Sequence, residues 1–113
     1  MKTGIEKFEN AMNPDVCDLL IKHLEDNLHN CFDMNHGNKQ NVICKELMLQ
    51  PHTELDNMVF KSIEQVLEKY GEMYPFFRVH CDTGYQLRKI TGKTREHVDK
   101  NPDLDDKRNV SVI

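Results

Sequence analysis

His97 and Asp99 flank a single valine in the segment GKTREHVDK, residues 92–100. On an extended backbone, residues two apart point to the same side, so this imidazole and carboxylate can reach one ion while Val98 turns into the opposite layer. A nitrogen donor beside a carboxylate oxygen suits a borderline divalent metal. Two histidines with one carboxylate hold non-haem iron(II) and leave positions open. His80 and Asp82 repeat the spacing. They stand between an apolar run and Gly84, where a strand histidine and a turn-forming aspartate account for both. The pair at 97 and 99 follows Gly92 and precedes an acidic connection, a more open setting.

The elements that must position these groups can be read from periodicity. Asn13-Pro14-Asp15 has the residue types of a helix start, and Val16, Leu19, Leu20, His23 and Leu24 follow at helical spacing, which predicts a core-facing helix over about 14–27. His23 reads as a packed core-edge side chain. A longer stripe, Leu55, Met58, Val59, Ile63, Val66, Leu67 and Tyr70, predicts a second helix over about 53–70, with Gly71 as its left-handed stop. VICKELML, residues 42–49, reads as a strand bounded by Pro51. FFRVHC, 76–81, and GYQLRKI, 84–90, read as two strands joined by Asp82-Thr83-Gly84. Alternation sets Gln86, Arg88 and Ile90 on one face of the second and Tyr85, Leu87 and Lys89 on the other. Extended pieces follow at 96–99 and 110–113. Ile5 and Phe8 suggest a short edge strand, and the Asn-rich stretch 29–41 reads as a loop.

The chain of 113 residues, 38% hydrophobic and 30% charged, with a mean hydropathy of -0.68, has the make-up of one small α+β domain, 1–113. A net charge of -4 argues against a nucleic-acid partner, since phosphate binding needs a basic face. No apolar run approaches a membrane span, and the start MKTGIEKFEN lacks the apolar core of a signal peptide, so the expectation is a cytoplasmic protein with no membrane partner. Cys17, Cys31, Cys44 and Cys81 form no CxxC pair and read as reduced thiols.

GYQLRKITGKTREHVDK, followed nine residues after Asp99 by RNVSVI, resembles the iron(II)- and 2-oxoglutarate-dependent dioxygenases of the prolyl 4-hydroxylase type. That family carries a strand, a glycine-containing loop, an HxD pair and an arginine leading into the next strand. NPDVCDLLIKHLED, residues 13–26, is similar to the family's helical layer. The resemblance covers most of the chain, with its specific motifs in 84–113.

The resemblance implies a helical layer packed on part of a double-stranded β-helix, a jelly-roll barrel. It makes His97 and Asp99 the first two iron ligands. It lines the 2-oxoglutarate pocket with Gln86, Arg88 and Ile90 from one strand and Ser111 and Ile113 from another. Arg88 has an equal alternative as a surface cation on an edge strand, and Arg108, where the family often has an arginine, reads as a solvated loop charge. Two positions depart from the pattern: Ile90 and Thr94 stand where the family frequently has tyrosines that contact the co-substrate. The family's distal histidine and its basic residue for the co-substrate carboxylate lie beyond Ile113. The expectation is therefore the N-terminal portion of an incomplete barrel, inactive alone, whose exposed sheet edge invites self-association.

On this reading the chain is an oxygenase that takes iron(II), 2-oxoglutarate as small-molecule co-substrate, and a peptide or small-molecule substrate. The alternative is a non-catalytic α+β protein-interaction module. A zinc site from His29, Cys31, His36 and Cys44 is a remote third, for want of a recognised ligand spacing.

Overall fold

A computed structural model describes residues 4–34, 44–79, 82–92 and 111–113. The first helix, α1, runs Pro14–Asp26. Asn13 caps it: its Oδ1 accepts the Asp15 N–H at 2.8 Å, Pro14 supplies the fixed φ of the first position, and Asp15 lies where the dipole favours an acid. At the far end the Asn27 side-chain amide donates to the His23 carbonyl at 2.8 Å.

A 3₁₀ turn, Leu28–Asn30, leads into strand β1, Phe32–Met34. Strand β2, Cys44–Met48, comes next. The second helix, α2, spans Glu54–Met73, and strand β3 spans Gln86–Ile90. The fold is α+β: two helices and an open antiparallel sheet in the order β1-β2-β3 among the described residues. No helix of the described residues is long and apolar enough to cross a membrane.

Both helices cover the same face of the sheet. Leu20 of α1, Leu49 at the end of β2 and Val59 of α2 form the buried centre, with Met12, Val16, Leu55, Ile63, Tyr85 and Leu87 packed against it. Among the described residues this core is small, and each of its side chains carries a large share of the stability. Leu49, only 2% exposed, is fixed further by its N–H, which donates to the Tyr85 carbonyl at 2.9 Å.

The α2 start is a reciprocal cap. Thr53 Oγ1 accepts the Asp56 N–H at 3.3 Å, and Asp56 Oδ2 accepts the His52 N–H at 3.1 Å. Gly71 does not stop this helix, contrary to the expectation, because the turn beyond it is held by aromatic side chains. Tyr70 and Tyr74 stack with ring centroids 4.6 Å apart, and Phe77 meets Tyr70 edge-on at 4.8 Å. The two tyrosines also hold the N-terminal segment: Tyr70 Oη donates to the Gly4 carbonyl at 2.7 Å and Tyr74 Oη donates to Glu6 Oε1 at 2.7 Å.

Other expected elements need correction. The strand expected over 76–81 is absent from its described part, 76–79. There Phe77 turns back onto Tyr70, and the Phe77 N–H donates to the Tyr74 carbonyl in a turn. Residues 4–12 form no strand around Ile5 and Phe8, and Ile5 is exposed. Conversely, the Asn-rich stretch taken as loop contains β1, whose Phe32 and Met34 pair with Glu46 and Cys44. Ser111–Ile113, the described part of the strand expected over 110–113, has no regular structure and is exposed.

Candidate functional site on the open sheet face

Directly opposed residues of an antiparallel pair share a face. The register Cys44↔Ile90, Glu46↔Arg88 and Met48↔Gln86 therefore gathers six side chains on one side of β2 and β3. Phe32 and Met34 of β1 join them. Tyr85 and Leu87 lie on the other side, within the core, so the first group faces away from the helices. Gln86, Arg88 and Ile90 thus share one face, as the alternation requires.

Arg88 sits at the middle of this face. Its Nε meets Glu46 Oε1 at 2.6 Å, and its Nη2 donates to Gln86 Oε1 at 3.0 Å. The Arg88 side chain is 44% exposed and that of Glu46 only 15%, so the pair is wet on one side and sunk on the other. Glu46 Oε1 is itself out of solvent and has no aligned hydrogen bond among the described residues; the contact with Arg88 is ionic. Around the pair the surface is apolar and open: Phe32 is 72% exposed, Ile90 55% and Met48 47%.

Cys44 lies beside the pair on the same face and is buried. Burial pushes its thiol pKa up, Glu46 adds to the rise, and Arg88 opposes it. A thiol so placed stays protonated at neutral pH and is a poor nucleophile and metal ligand.

The remaining candidates are distributed unevenly. His97 and Asp99 lie outside the described residues, as do His80, Thr94 and Arg108. Asp82 is described, and its carboxylate accepts the Tyr85 hydroxyl proton in a hydrogen bond; the turn expected over 82–84 is not formed in these described residues. Ser111 and Ile113 are exposed. Of the third candidate set, Cys31 Sγ donates to the Asn27 carbonyl at 3.4 Å and His29 Nε2 lies 3.2 Å from the Asn30 amide. His36 lies outside the described residues. Among the described residues no group of three His, Cys, Asp or Glu side chains could hold a metal.

His23 lines a groove of about 390 Å³ between the end of α1 and the start of α2, floored by Leu47, Leu49 and Leu55. Met48 also lines it, whereas Arg88 does not.

Glu46 is the residue that sequence reading missed. VICKELML does place Cys44, Glu46 and Met48 on one face by alternation, but only the β2–β3 register sets Glu46 opposite Arg88. No family model, no curated protein and no solved structure matches the chain.

Proposed function

We propose that the chain carries part of an iron(II)- and 2-oxoglutarate-dependent oxygenase of the prolyl 4-hydroxylase type, with a jelly-roll sheet backed by helices. The observation that carries this reading is the one-sided sheet. Both helices pack on the Leu49–Leu87 side, and the opposite side holds Gln86, Arg88 and Ile90 around a cation. A barrel interior built on this sheet would be lined by that face. A guanidinium there suits a dicarboxylate co-substrate, because its planar fork matches carboxylate geometry.

His97 and Asp99 are the proposed metal ligands, an imidazole and a carboxylate whose donor types fit iron(II). Bound iron with 2-oxoglutarate supplies the oxidising chemistry that hydroxylates an unactivated C–H bond of a peptide or small molecule. The residues of the chain hold the metal and orient the co-substrate.

Cobalt(II) titration, followed by its visible absorption, tests the reading. Binding that is lost in His97→Ala and Asp99→Ala and retained in His80→Ala supports it. Binding that survives both of the first two variants overturns it. A non-catalytic interaction module is the second reading, favoured by the exposure of Phe32, Met48 and Ile90 on one face. Concentration-dependent sedimentation that is abolished by Phe32→Ser, in a chain that binds no cobalt(II), would favour it.

A further inference from the structure

Arginine grips a carboxylate side-on through the edge shared by Nε and Nη2, or end-on through its two terminal nitrogens. In Arg88 the side-on edge is filled from within the chain. Glu46 Oε1 takes Nε at 2.6 Å, and Gln86 Oε1 takes Nη2 at 3.0 Å. The Gln86 oxygen accepts a hydrogen bond, while Glu46 Oε1 meets Nε as an ionic contact without an aligned hydrogen bond among the described residues, so a carboxylate charge already lies against that edge. Both oxygens are held there by the ladder, since Glu46 is the cross-strand neighbour of Arg88 and Gln86 is two residues away on the same face. Glu46 has little freedom to leave, its side chain being 15% exposed.

We propose that Glu46 is an internal competitor for Arg88: its carboxylate occupies the place that a ligand carboxylate would take, and so sets the concentration of dicarboxylate at which this face is filled. The inference rests on the oxygenase reading for the identity of the ligand, 2-oxoglutarate. It adds a residue that the reading does not assign and a direction for its effect. Removing a carboxylate near a ligand site usually costs nothing or loosens the fold. Here it strengthens binding, because the guanidinium loses a competitor and the incoming anion loses a repelling charge.

Titrating the 113-residue chain with 2-oxoglutarate, while following the Arg88 Nε–H resonance by ¹H–¹⁵N NMR, tests the proposal. Glu46→Gln keeps the side-chain shape and an acceptor oxygen but removes the charge. Its saturation should occur at roughly threefold to tenfold lower concentration than in the parent chain, given the size of a half-exposed charge-assisted contact. Glu46→Asp, which keeps the charge and shortens the reach, should fall between the two and serves if the Gln variant folds poorly. Perturbation of Arg88 at equal or higher concentration in both variants overturns the competitor role and leaves the oxygenase reading standing. If 2-oxoglutarate perturbs Arg88 in neither the parent chain nor the variants, both the competitor role and the assignment of Arg88 to the co-substrate fall. Chemical stability measured alongside separates the effect from a structural one: a cross-strand tie alone lowers stability in Glu46→Gln without changing the titration.

Discussion

Lys89 Nζ and Glu25 Oε1 meet at 2.8 Å although 64 residues separate them. The pair ties β3 to α1 across the covered face of the sheet. Its side chains are 41% and 46% exposed, so water screens it. Lys89→Ala should lower stability by about 0.2–1 kcal/mol. Urea titrations at low and at 1 M salt check this, and the difference between variant and parent should shrink at the higher salt.

The central side chains are far less tolerant. Leu49 is 2% exposed and packs with core residues of both helices, so Leu49→Ala removes contacts at the centre of the described core. The expected loss is about 2–5 kcal/mol, large enough to populate the unfolded chain at 37 °C. Circular dichroism against temperature measures it, compared with Leu19→Ala, a position that periodicity set on the core stripe but that is 45% exposed.

Gly84 has φ +91°, and a Cβ added there would lie 3.2 Å from Met48 Cε. Gly84→Ala should cost about 1–2 kcal/mol for the left-handed backbone, plus a displacement of Met48 on the open face. His52 is strained in the same sense at φ 65°, so His52→Gly should cost nothing and leave the Asp56 contact to its N–H intact. Paired urea denaturation of the two variants checks both signs.

Tyr74 and Tyr85 should titrate late. Hydrogen bonding to Glu6 holds the Tyr74 hydroxyl above its ordinary range. Burial, with the hydrogen bond to Asp82 behind it, does so more strongly for Tyr85. A raised folded-state pKa means that the neutral phenol is favoured in the fold. The stability it contributes is fully present below the unfolded pKa of about 10 and is lost as pH climbs above it. Phenolate absorption should therefore show a high-pH component that shrinks in Tyr85→Phe, with the Tyr74 contribution left. Stability measured at pH 9 and pH 11 should fall between the two, by less in that variant.

The helices were legible because a period of 3.6 needs only apolar side chains at the right intervals, and Leu20, Leu24 and Val59 supply them. The start of α1 was legible because Asn13 has an oxygen suited to capping; Thr53, read as the first residue of the second helix, is its cap. The end of α2 was not legible: Gly71 has the residue type of a stop, but the helix continues past it to Met73, where Tyr70 stacks on Tyr74. β1 was hidden because Phe32-Asp33-Met34 is too short for a pattern, and its pairing with β2 is a tertiary event. At the site, alternation was enough to put Gln86, Arg88 and Ile90 together. The opposition of Glu46 to Arg88 depends on a register between strands far apart in the chain.

That separation also dictates an order of assembly. All of α2 intervenes between β2 and β3, and bringing the two strands together spends chain entropy before the ladder returns anything. Packing of Val59 on Leu49 would shorten the search, so the expected order is that contact first and the Glu46–Arg88 tie afterwards. In stopped-flow experiments Val59→Ala should slow refolding, whereas Glu46→Gln should leave that rate alone and act on the rate of unfolding.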